Sequence, residues 1–75
     1  MLIKHFGKSV RYLRRNKDMS QETLAELCGL DRTYIGGVER GERNPTLLVI
    51  GKIAAGLSVS LAELFDLVIS DEIAG

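Results

Sequence analysis

One cysteine and one histidine in 75 residues already remove several ways of stabilising or using a small protein. Cys28 has no second thiol for an internal disulfide, and with His5 it falls short of a Cys/His zinc cage. No apolar run approaches the roughly 18 residues that would span a membrane. The N-terminus has charge but no apolar h-region, so no signal peptide is expected, and a reduced cytoplasmic setting fits best. There is no nucleophile–base arrangement, no phosphate-cradling glycine loop and no metal-ligand cluster, so no enzyme, cofactor or small-molecule substrate is expected. Linkers, repeats and low-complexity stretches are missing too. The chain reads as one small domain, residues 1–75. A chain this short buries only about 60–65% of the surface its unfolded form exposes. Tight helix packing, self-association or both must then supply its stability.

Net charge is absent as well, but the zero hides an asymmetry. Residues 1–17 carry Lys4, Lys8, Arg11, Arg14, Arg15 and Lys17 and no acid, a balance of +6. The rest carries Arg32, Arg40, Arg43 and Lys52 against ten acids, a balance of −6. A chain split this way can turn a basic face to a polyanion. A solvated basic helix face is the plainer alternative, and composition does not choose between them.

What is present reads at helical period. Phe6, Val10 and Leu13 stand at i, i+4 and i+7 and predict a first helix over about residues 3–16. Ser20 is an N-cap for a second helix holding Leu24, Leu27 and Cys28, ended by Gly29. Asp31 caps a third helix with Ile35 and Val38 inward, stopped at Gly41. The single proline, Pro45, marks the long loop, and Thr46 after it caps a fourth helix. There Leu47, Ile50, Ile53 and Ala54 face inward, with the end near Gly56. Ser60 and Glu63 form a capping box for a fifth helix containing Leu61, Leu64 and Phe65. The expected fold class is all-α, five short helices.

Residues 21–40 carry the specific signal. Ala25 is small where two helices would cross, Gly29 accepts a left-handed backbone, and Leu30 plugs the gap. Ile35 and Val38 hold the third helix against the second. This is helix-turn-helix spacing. It leaves Arg32, Thr33, Tyr34, Gly36 and Gly37 outward, a short face that a DNA major groove could accept. The pair Gly36-Gly37 inside a helix costs about 1 kcal/mol per residue against alanine. Close approach to DNA or close helix packing could compensate, and both remain open.

The strings Ser20-Gln21-Glu22-Thr23-Leu24-Ala25-Glu26-Leu27, Leu30-Asp31-Arg32-Thr33-Tyr34-Ile35 and Val38-Glu39-Arg40-Gly41-Glu42-Arg43-Asn44-Pro45-Thr46 resemble the lambda-repressor-like (Cro/Xre) DNA-binding family. Within it, the second and third are similar to the controller proteins of bacterial restriction–modification systems. Gly36 departs from the serine more frequent there. The resemblance implies a compact five-helix DNA-binding domain and a sequence-specific transcriptional regulator that binds a two-fold operator as a homodimer. RNA polymerase is a candidate further partner. A phage-type repressor and the antitoxin of a toxin–antitoxin pair are the alternatives.

Roles follow residue by residue from that resemblance. Arg32 would read guanine through its fork of donors, with Thr33, Tyr34, Gly36 and Gly37 as further base-contacting positions. Gln21, Arg40, Arg43, Asn44 and Arg11 would meet phosphates. Arg14 is placed opposite Glu39 as a structural ion pair joining two helices. The C-terminal third holds more apolar residues than a small core needs. Leu57, Leu61, Leu64, Phe65 and Val68 are therefore the expected dimer surface, within about residues 57–70.

Overall fold

The computed structural model describes the backbone of residues 2–74 and the side chains of residues 2–67. Its helices are α1 Leu2–Asn16, α2 Gln21–Cys28, α3 Arg32–Glu39, α4 Leu47–Leu57 and α5 Leu61–Ala74. No strand occurs among the described residues, so the all-α expectation holds.

Local chemistry starts and stops these helices. Ser20 Oγ accepts the Thr23 N–H at 3.0 Å, Asp31 Oδ1 the Thr33 N–H at 2.9 Å and Thr46 Oγ1 the Val49 N–H at 3.3 Å. At α5 the capping box is reciprocal: Glu63 N–H donates to Ser60 Oγ at 3.0 Å and Ser60 N–H to Glu63 Oε1 at 3.1 Å. Each satisfies a donor that the first turn of a helix leaves open. The first four helices share one ending, a left-handed residue followed by paired bonds back to the last turn. Gly29 and Gly41 serve α2 and α3, with φ of 69° and 75°. Asp18 and Ser58 serve α1 and α4 without being glycine, with φ of 55° and 58°. At α1 the Asp18 and Met19 N–H groups reach Arg15 and Arg14 carbonyls at 3.0 and 3.1 Å.

Packing follows from these short rods. α1 rests on α3 and α5, and α2 rests on α3 and α4. Phe6, Val10, Leu24, Ala25, Cys28, Ile35, Val38, Ile53, Ala54, Leu57 and Leu64 form one buried cluster. Phe6 and Phe65 link α1 to α5 with ring centroids 6.2 Å apart. The helix-turn-helix positions behave as expected: Ala25, Ile35 and Val38 are buried and Leu30 is half-buried against the core. No single helix is long and apolar enough to cross a membrane.

Four expectations need correction. Leu27 and Leu47, expected inward, are 57% and 73% exposed. In α2 the buried arc is Leu24, Ala25 and Cys28, and Leu27 falls about 100° around the helix from its centre. In α4 the arc centres on Ile53 and Leu57, and Leu47 is displaced by about the same angle. α4 does not end near Gly56. That glycine is buried inside the helix, where an added Cβ would collide with Cys28 Sγ, and Ser58 supplies the turn. Leu57 and Leu64 are 0% exposed. They belong to the core of one chain and cannot line a surface between two. Leu61 stays exposed and Phe65 half-buried, while the Val68 side chain lies outside the described residues.

Candidate nucleic-acid interface

Asp31 makes Arg32 the first residue of α3, and Cα–Cβ bonds in a helix tilt toward its N-terminus. Arg32 and Thr33 are exposed at that end, with Tyr34 half-buried beside them. Among the described residues no carboxylate lies within ion-pair distance of Arg32. Neither Glu22 nor Glu26 of the preceding helix pairs with it. The helix dipole disfavours a cation at this end, so the exposed guanidinium is better suited to an external acceptor than to its own helix.

The other end of α3 is fixed from beneath. Arg14 Nε donates to Glu39 Oε2 at 2.6 Å and Nη2 to Oε1 at 3.0 Å. Arg14 Nη1 donates to the Met19 carbonyl at 2.7 Å. Both charged residues are only 8% exposed. The hydrogen bonds that Arg14 donates to Glu39 raise its pKa above the ordinary value against the opposing effect of burial, with the Glu39 charge adding to the rise. The pair expected from the resemblance thus exists, and it ties α1, the α1–α2 turn and α3 together.

Gln21 has a second role besides the expected one. Its side-chain nitrogen donates one of its two hydrogens to Glu39 Oε1 at 3.1 Å, and the other is not used by that bond. Beside it α2 offers a phosphate the open N–H end of its first turn. Sequence reasoning missed Gln21 as a ligand of Glu39 because the two lie eighteen positions apart and no local pattern joins them.

Gly36 and Gly37 do not form an open face. Both are buried, and an added Cβ on Gly36 would lie 3.1 Å from Arg40 Nη1, one on Gly37 2.9 Å from Arg43 Cγ. The arginines expected on phosphates therefore cover the glycines expected at bases. The i, i+4 spacing of Gly36 and Arg40 was a readable signal for the first of these contacts. Arg43 also brings its guanidinium carbon 5.7 Å from the centre of the Tyr34 ring, within cation–π range. Arg40 pairs with Glu42 at 3.1 Å, both side chains more than half exposed, a pairing of little energetic weight.

The remaining positions are less concentrated. Asn44 is exposed and borders an apolar groove of about 90 Å³ with Leu2, Ile3, Pro45, Ile50 and Phe65. Arg11 sits on the outer side of α1 with Lys8, Tyr12 and Arg15; among the described residues no contact joins it to the loop arginines. Cys28 is buried, and burial raises its thiol pKa, which makes it a poor nucleophile. No group of three metal-ligating side chains occurs among the described residues.

Comparison with known proteins bears on this arrangement. A helix-turn-helix family profile matches residues 10–64. The control protein C.MunI of a Mycoplasma species is 48% identical over 61 residues, 80% of this chain and 82% of that protein. The restriction–modification controller protein C.AhdI from Aeromonas hydrophila is 56% identical, with a TM-score of 0.80 over 85% of this chain and 96% of its own. The controller protein C.Esp1396I, solved as a tetramer with its natural 35 base-pair operator, is 38% identical. Its TM-score is 0.89 over 93% of this chain and 92% of its own.

Proposed function

The chain belongs to the lambda-repressor-like (Cro/Xre) helix-turn-helix family, is similar to restriction–modification controllers and is a transcriptional regulator; we propose that it reads a two-fold operator as a homodimer in the cytoplasm, with α3 in the major groove. The observation that carries this reading is the built end of α3. Arg32 and Thr33 project from an N-terminus capped by Asp31, while the buried Arg14–Glu39 pair, with Gln21 as a further donor, fixes the opposite end of the helix. Base readout then falls to Arg32, Thr33 and Tyr34. Backbone grip falls to Arg43, Arg40, Asn44 and the first turn of α2, with Arg11 at the margin. The glycine pair touches no base in this reading, because arginine side chains cover it.

Two copies are needed for useful specificity, since half-sites one turn apart are separated by about 34–36 Å. The exposed Leu61 and the half-buried Phe65 of α5 are the described residues proposed for that contact. A neighbouring methyltransferase gene and nuclease gene would mark the regulated system.

Two substitutions test the division of labour. Each variant is titrated against a duplex selected by the wild-type protein from a randomised pool and against a mixed-sequence duplex. Arg32→Ala should weaken the first by about 1–3 kcal/mol more than the second, flattening preference at one symmetric position in each half-site. Arg43→Ala should lower both affinities by similar factors. With three or four phosphates neutralised per subunit, log K should fall against log salt with a slope of about −5 to −7. An unchanged ratio in Arg32→Ala would move specificity to Thr33, Tyr34 or DNA shape.

A further inference from the structure

The recognition helix contains two adjacent residues that are poor helix formers, and what lies nearest their open side is side chains, not the backbone of another helix. Of the heavy atoms nearest to a Cβ built on Gly37, all three belong to Arg43: Cγ at 2.9 Å, Nε at 3.2 Å and Cδ at 3.6 Å. On Gly36 the neighbours are Arg40 Nη1 at 3.1 Å, Gln21 Oε1 at 3.6 Å and Arg40 Cζ at 3.9 Å. Gly7 of α1 is a different case, for there a Cβ would meet the backbone carbonyls of Val38 and Glu39. Gly7 makes room for a helix. Gly36 and Gly37 make room for side chains.

The far end of Arg43 completes the pattern. Its stem crosses the helix at Gly37 and its guanidinium rests over the Tyr34 ring, 5.7 Å from the centroid. A loop arginine would ordinarily sample many rotamers and lose them on binding. Here its stem lies against a bare stretch of helix and its guanidinium against an aromatic ring.

We infer that Gly37, with a smaller contribution from Gly36, is a positioning residue for DNA binding: its missing Cβ is the trough in which Arg43 lies, so that the cation is already laid along the recognition helix when the duplex arrives. This rests on α3 being the DNA-binding helix. It also resolves the choice between DNA approach and helix packing as the use of the glycine pair, in favour of neither. The chain accepts a weaker helix in exchange for an ordered arginine.

Stability and binding should therefore respond with opposite signs. The wild-type chain, Gly37→Ala, Arg43→Ala and the double variant are titrated by fluorescence anisotropy against a labelled mixed-sequence duplex across a salt series, and each is melted. Gly37→Ala should melt no lower than wild type, because alanine is the better helix former. It should nevertheless bind roughly two- to tenfold more weakly, the effect of freeing one long side chain. Its salt slope should be shallower by up to about 0.9 per arginine disengaged. Added to Arg43→Ala, it should change neither affinity nor slope. An equal loss in both backgrounds overturns the inference, since the glycine itself would then face the DNA. So does unaltered binding, and so does a lowered melting temperature, which would make the glycine a requirement of packing. If the wild-type chain binds no duplex, the DNA-binding reading fails on its own evidence, before any variant is compared.

Discussion

Where α3 meets α1, the contact includes, besides the close approach at Gly7, Arg14 and Glu39, two charged side chains buried together and joined by two hydrogen bonds, with Gln21 and the Met19 carbonyl as further partners. Where α4 and α5 close the other side, the contact is Ile53, Ala54, Leu57 and Leu64 in an apolar cluster. The two regions solve different problems. Apolar packing is non-directional and tolerates small rotations of a helix. A bidentate guanidinium–carboxylate pair fixes both ends in one geometry. A helix proposed to present Arg32 to a base edge has to be aimed as well as buried, and the directional contact lies under that helix.

Removing one partner of the buried pair should produce the largest effect. Glu39→Ala leaves the Arg14 guanidinium buried and uncompensated, with an expected loss of about 3–5 kcal/mol. A domain of this size has roughly 4–11 kcal/mol in all, so urea titration should show a chain close to unfolding. Replacing both partners by apolar residues, Arg14→Met with Glu39→Leu, should recover much of that stability but not the operator affinity. Recovery of both would show that the pair aims nothing.

On the apolar side the effect should be smaller and differently distributed. Leu57→Ala opens a cavity and should cost about 2–5 kcal/mol. In the folded fraction, however, the ratio of operator to mixed-sequence binding should stay at the wild-type value. A changed ratio would mean that the α4–α5 side also sets the aim of α3.

The smallest effect belongs to the start of α5. The Ser60 backbone N–H, and secondarily its hydroxyl, hold the exposed Glu63 carboxylate below its ordinary pKa, with a minor contribution from Lys17. A depressed carboxylate stabilises the fold above its unfolded value, about 4.3. That contribution is lost as pH falls through the lower folded value. Melting temperatures of wild type and Glu63→Gln should therefore differ slightly at neutral pH and converge in acid. A gap that persists unchanged in acid would rule out the charged form as its source.

Much of this arrangement could be read from the chain before any packing was known. Ser20, Asp31, Thr46 and Ser60 mark helix starts through contacts no more than three residues away, and Gly29 and Gly41 mark ends through their own φ. The endings at Asp18 and Ser58 were not legible as left-handed turns, because neither residue type requires that conformation. Arg32 and Thr33 were legible as an exposed helix tip from the Asp31 cap alone. Gly36 and Gly37 were misread as open: the i, i+4 spacing to Arg40 was a signal for Gly36, but nothing local says that Arg43 folds back across Gly37. Leu57 and Leu64 were misread as surface because an apolar residue carries no mark of which apolar neighbours it meets.

The sequence by itself determined the five helices, their caps and the helix-turn-helix spacing, because hydrogen bonds within a turn and a 3.6-residue period involve only near neighbours. Tertiary structure decided which leucines left the surface, which arginines were laid over the glycine pair and how many ligands Glu39 gathered. Those outcomes depend on the angles at which separate rods meet. Arg14 and Glu39, twenty-five residues apart, become partners only after α1 and α3 have been brought together.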